Sequence, residues 1–389
     1  MSFVVSNRLS LLPPYVFVEL DRLKQQAIER GEDIINLGIG DPDQPTPPII
    51  IEALAEAAKV GENHRYPSGI GMPDFRKEVA AYYQRRHGVD FNPATEIMSL
   101  IGSKEGIGHL PLAFVNPGDV VLVPEPGYPV YNSSTIFAGG EPYPMPLTQE
   151  NAFLPDLEAI PEAVYARTRL MFLNYPNNPT AAFATRDFFE RVIAKARKHG
   201  FIVAHDAAYL DVSFGGRKAL SFMEVPGARE VGIELHSLSK TFNMTGWRVG
   251  FAVGNPEVIA GLASLKANLD SGVFNAVQRA GIAALRNFDA VVPAINQTYE
   301  TRLKAFSNGV AELGWTDYRE PQGSFYVWLR TRNGLSSTDM TRELLQKCAV
   351  VTTPGNAFGA AGEGYFRIAL TAKAERILEA CQRMKKAGF

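Results

Sequence analysis

The stretch SLSKTFNMTGWRVG, Ser237 to Gly250, follows the short apolar run VGIELH at 231–236. It sets a lysine, an arginine and several hydroxyl side chains just past what reads as a buried strand, where a charged amine is costly. Working outward, the middle of the chain alternates helix-like segments with short β-branched runs, which predicts a parallel α/β sheet. Strands are expected at about 120–123, 169–173, 201–205 and 231–235, with DFFERVIAKARKHG as a helix ending at Gly200. QGSFYVWLR and GYFRIAL read as strands of a second, smaller α/β unit between helices near 297–313 and 373–386. At 389 residues, two domains are the default. The expected division is an N-terminal segment (1–45, with a helix at about 18–30) packing on the small domain, a large domain (46–285) and a small C-terminal domain (286–389).

Composition excludes more than it assigns. The net charge of −2 carries no electrostatic footprint for nucleic acid or an anionic membrane surface. Cys348 and Cys381 lack CxxC spacing, so neither a disulfide framework nor a metal site is expected. The first residues show no basic stretch followed by a long apolar one, and no 18-residue apolar run occurs. A reducing cytoplasm is the expected home.

Tyr128, Asn178, Asp206 and Lys240 each fall at or just after the end of a different expected strand. In open α/β sheets the ligand sits outside the carboxyl ends of the strands. Lys240 at that edge can form a Schiff base if burial lowers its pKa. Asp206 is placed to hold a positively charged ring nitrogen, the role a carboxylate plays toward the pyridinium of pyridoxal phosphate. Asn178 and Tyr209 can hydrogen-bond a ring oxygen, and Tyr128 offers a flat face. Ser237, Ser239 and Arg248 suit a phosphate. GSKEG at 102–106 opens a helix whose N–H groups form an anion site.

SLSKTFNMTGWRVG, NYPNNPT, HDAAY and PEPGYPVY together resemble the fold-type I, class I/II aminotransferases that use pyridoxal phosphate, in the right order along nearly the whole chain. The resemblance implies a large domain with a mainly parallel sheet between helices, plus a smaller α/β domain. It implies that Lys240 is the Schiff-base lysine and proton shuttle, with Asp206 at the ring nitrogen and Asn178 and Tyr209 at the ring oxygen. Tyr128 would stack on the ring, and Ser103, Lys104, Ser237 and Arg248 would surround the phosphate. Tyr66 of RYPSG would reach in from the other subunit of a homodimer. Arg367 of FRIAL would take the substrate α-carboxylate beside Gly40 of LGIGDP. Ala181 departs from the family's usual NPTG and should tighten a turn. No role attaches to His205.

RLSLLPPYVFVELDRLKQQAIERGEDIINLGIGDPDQPTP, RYPSGIGMPDFR and KANLDSGVFNAVQRAG look particularly like the bacterial LL-diaminopimelate aminotransferases, which exchange an amino group between diaminopimelate and 2-oxoglutarate in lysine biosynthesis. A long substrate with a zwitterionic far end needs cations there. Lys104 and Lys266 are the candidates for distal carboxylates, unless they are solvated or phosphate-side lysines; Tyr15 and the Asn275 loop could add hydrogen bonds. A broad aspartate, alanine or aromatic aminotransferase is the alternative. A pyridoxal-phosphate β-lyase uses nearly the same constellation.

Overall fold

The structure, a computed structural model, describes residues 3–12 and 17–389. Ile35–Asn36 forms a first short strand, β1. Seven further strands build the main sheet: β2 (Ile97–Leu100), β3 (Val120–Glu125), β4 (Glu141–Pro146), β5 (Thr168–Asn174), β6 (Ile202–Asp206), β7 (Gly232–Ser237) and β8 (Gly250–Gly254). Their order is β2-β8-β7-β6-β5-β3-β4. The β4-β3-β5-β6-β7 portion is parallel, and β8 runs antiparallel between β7 and β2. The four expected strands are all present: β3 and β5 are each two residues longer than expected, and β6 and β7 each start one residue later.

Period-two alternation explains why both faces are covered. Leu122, Met171, Leu173 and Val203 belong to the core on one face. Val121, Val123, Leu170, Phe172 and Ala204 belong to the core on the other. The Arg186–His199 helix crosses from β5 to β6. The Thr185 hydroxyl caps its start by accepting the Phe188 N–H at 3.2 Å. Gly200 ends it at φ 74°, a left-handed turn that glycine makes without steric cost.

A second core lies toward the C-terminus. β9 (Tyr326–Arg330) pairs antiparallel with the later strand β12 (Tyr365–Ala369). β10 (Val350–Val351) pairs with β1, and β11 (Thr353–Pro354) pairs with β12. Ile35 and Leu37 are thereby buried with Leu303, Phe306, Phe366 and Ile377. The Phe288–Leu313 helix begins well before the expected 297, carrying Pro293 near its start. A proline at this sixth helical position gives up one backbone hydrogen bond, which is why it reads as a helix stop in sequence, yet the helix continues through it.

Candidate active site

The carboxyl ends of β3, β5, β6 and β7 open into a cleft of ≈650 Å³ whose far wall comes from the C-terminal core. Lys240 lies three residues past β7, in a short helical turn. Its Nζ donates to the Gly40 carbonyl at 3.0 Å. Burial lowers its pKa to about 8; Asp41 opposes that shift, while Arg248 and Arg367 add to it. Beside it, Gly40 leaves room for Tyr326, since a Cβ there would fall 1.9 Å from the Tyr326 hydroxyl.

Asp206 closes β6, on the same sheet face as Ala204. Its Oδ2 accepts the Tyr131 hydroxyl at 2.8 Å, while Oδ1 is buried without a hydrogen-bond partner. Burial raises its pKa; the Tyr131 hydrogen bond works in the opposite direction. Tyr131 is itself stacked on Phe172, with ring centroids 4.9 Å apart. Asn174, at the end of β5, ties the strand ends together: its side chain donates to the Asp206 carbonyl and accepts the Asn178 N–H, both at 2.7 Å. Tyr209 shares a 3.0 Å hydrogen bond with the Tyr326 hydroxyl.

At the other end of the cleft begins the Ser103–Phe114 helix, with Gly102 before it and no side-chain cap. Gly102 adopts φ 76°, and a Cβ there would lie 2.3 Å from an Arg248 guanidinium nitrogen. That guanidinium donates to the carbonyls of Thr245 (2.9 Å) and Ile101 (3.2 Å). The Ser237 hydroxyl accepts the Ser239 N–H, and the Ser239 hydroxyl is buried without a partner. An uncapped helix N-terminus beside an arginine, a lysine and free hydroxyls is an anion cradle.

Arg367, on β12, is 6% exposed. It donates to the Asn178 side-chain oxygen and the Gly38 carbonyl, each at 2.8 Å, and lies over the Tyr326 ring at 4.2 Å. No carboxylate among the described residues pairs with it, and its Nε has no partner. A buried cation without a counter-anion is costly unless a ligand supplies one.

Of the residues singled out in the sequence, Gly40, Ser103, Lys104, Tyr128, Asn178, Asp206, Tyr209, Ser237, Ser239, Lys240, Arg248 and Arg367 all line the cleft. Tyr66 does not; it is 89% exposed. Tyr15 lies outside the described residues. Lys266 is corrected: its ammonium is fully buried between Glu105 and Asp270 and is not available to a substrate carboxylate. Ala181 sits at φ 58°, a conformation costing about 1 kcal/mol or more for a residue with a Cβ. Sequence reasoning passed over Tyr131 and Asn174, although both lie in the motifs quoted above. Which of several neighbouring polar residues turns inward depends on strand register at Asn174 and on the facing of the Val130–Phe137 helix at Tyr131.

His205 also finds its place. Its Nδ1 lies 2.8 Å from Glu234, and its Nε2 accepts the Tyr175 N–H at 3.3 Å. Glu234 is fully buried and also takes hydrogen bonds from Tyr83, His236, Ser221 and the Phe222 N–H. These bonds, from His205 and His236 above all, hold its pKa well below the usual range against the opposing effect of burial. His205 thus joins β6 and β7 to the loop that carries Asn178, on the sheet face opposite Asp206.

Residues 32–384 match the family described as aminotransferase class I and II. The chain belongs to that family. Pyridoxal phosphate is its cofactor, and the cleft fits it: the buried, unpaired Asp206 Oδ1 could accept from a ring nitrogen, and the uncapped helix N-terminus could hold a phosphate. The aminotransferase is 55% identical over all of both chains to the LL-diaminopimelate aminotransferase of Syntrophobacter fumaroxidans. It is 51% identical to that of Aquifex aeolicus, over 98% of this chain and 99% of the relative. Among solved structures, substrate-bound BacF from Bacillus subtilis superposes with a TM-score of 0.95 at 40% identity, covering 100% of this chain and 98% of the other.

Proposed function

We propose that this aminotransferase moves an amino group between LL-diaminopimelate and 2-oxoglutarate, a step of lysine biosynthesis. The observation that carries this reading is identity above one half, over the full length, to a curated enzyme of that activity. The cofactor supplies an aldehyde carbon that accepts amines and a protonated ring that draws electrons from the substrate Cα. The chain's own residues do the rest. Asp206 would hold the ring nitrogen, Asn178 and Tyr209 would hold the ring oxygen, and Tyr128 would supply a flat face for the ring. Ser103, Ser237, Ser239 and Arg248 would take the phosphate. Arg367 grips the α-carboxylate and so orients the Cα–H bond toward Lys240. With a pKa of about 8, the Lys240 amine is part-deprotonated near neutrality and can take and return that proton.

Distal recognition is assigned to Lys104, exposed at the mouth of the cleft, with Tyr15 and the Asn275 loop as further contributors. A panel of amino donors with 2-oxoglutarate, scored by glutamate formed, should rank LL-diaminopimelate first; a flat ranking overturns the assignment. On the same panel Arg367→Lys should lose kcat/KM for every donor alike. Lysine lacks the planar fork, and breaking a buried charge pair costs about 2–5 kcal/mol, roughly 30- to several-thousand-fold. Lys104→Ala should instead hurt dicarboxylic donors and spare alanine.

The enzyme is proposed to be a cytoplasmic homodimer with shared sites. Tyr66 projects into solvent, and Leu269 and Phe274 are exposed near it: a Cβ on Gly272 would lie 3.0 Å from the Ser68 carbonyl. Such apolar exposure suits an interface. Mixing inactive Tyr66→Ala and Lys240→Ala chains should restore activity, because each mixed dimer regains one intact site. A fully active monomer in sedimentation would refute this arrangement.

A further inference from the structure

We infer that Lys266 is a positioning residue for the cofactor phosphate, acting through Glu105. Its ammonium, fully buried, lies 2.9 Å from both Glu105 oxygens and 2.8 and 2.9 Å from those of Asp270. Glu105 stands in the first turn of the Ser103–Phe114 helix, and its Oε2 accepts the Ile101 N–H at 2.5 Å. The Ile101 carbonyl takes Arg248. The strand-to-helix turn is therefore gripped from both sides, by a carboxylate that Lys266 fixes and by the guanidinium of the anion cradle. His109 Nδ1 lies 3.4 Å from Glu105 and adds a further polar neighbour.

Two effects follow from this placement. An acidic side chain at a helix N-terminus competes electrostatically with any anion bound there, and Lys266 offsets that charge. Without Lys266, Glu105 and Asp270 would also face each other as like charges; a ligand atom from each lies within 4.8 Å of the other. Glu105 would turn away and release the Ile101 N–H, loosening the cradle. Asp270 carries the tie further, since its carboxylate accepts the Gly272 N–H at 2.7 Å, next to Ser68.

The inference rests on the phosphate lying at this helix, so the test separates the two. Pyridoxal phosphate is titrated into apoprotein and its Kd read from the absorbance of the bound form. Lys266→Met should weaken binding at least tenfold, and adding Glu105→Gln should recover most of it, because the amide still accepts the Ile101 N–H without the charge. Glu105→Gln alone should tighten binding by removing the competing anion, and this arm serves if Lys266→Met does not fold. A twofold or smaller change in Lys266→Met, no recovery in the double variant, or an unaltered Kd in Glu105→Gln overturns the inference. Arg248→Ala is the control: if it too leaves the Kd unchanged, the phosphate placement itself is wrong, whereas weakening there alone removes only the role of Lys266.

Discussion

Lys240→Ala abolishes the covalent attachment of pyridoxal phosphate and nearly all turnover. The wild-type protein should be yellow, and borohydride should fix the cofactor to the peptide that carries Lys240. Loss of the proton-transfer role alone costs about 10²- to 10⁴-fold, and the lost nucleophile adds to that. The pH dependence has a definite sign. The ammonium has no lone pair, and burial places its pKa near 8. Cofactor uptake by apoprotein should therefore speed up as pH rises through about 8, well below the value near 10.4 of a solvated lysine. Stopped-flow absorbance across that range measures it; an uptake rate flat between pH 7 and 9 would rule out an amine pKa near 8, and a colourless wild-type protein would exclude Lys240 as the attachment point.

Asp206→Asn should lower kcat by roughly 30- to several-thousand-fold, the range for breaking a buried charge pair. The reason lies in the two oxygens. Oδ2 is already held by Tyr131, so an amide oxygen can accept that bond and the fold survives; Oδ1 is buried and unpaired, waiting for a cation. Asparagine leaves the ring nitrogen without its negative partner, and the ring withdraws electrons less strongly. The loss should appear in single-turnover kinetics with an unchanged melting temperature for the apoprotein. Near-normal turnover in this variant would mean that another group faces the ring nitrogen.

Much of this site was legible in the sequence because its parts are local. A lysine just past a strand, a glycine before an uncapped helix and an aspartate closing a strand each announce themselves within a few residues. The sheet places all such ends along one edge. Arg367 was legible only through the family likeness, since nothing near FRIAL distinguishes a ligand-binding arginine from a surface one.

Lys266 and His205 mark the boundary. Lys266 reads in sequence as a cation free to meet a substrate carboxylate, and only the packing of the Pro256–Lys266 helix against the Ser103–Phe114 helix brings Glu105 to it, opposite the nearby Asp270. His205 reads as a stray polar residue until the parallel register of β6 and β7 sets it beside Glu234. The sequence by itself determined the alternating elements, the sheet edge that bears the chemistry and the residue types the cofactor needs, because these follow from local hydrophobic period and turn chemistry. Tertiary structure alone decided which buried charges pair with each other and which remain open for a ligand. A charge's role is set by the groups within a few ångströms of it, and those come from distant parts of the chain.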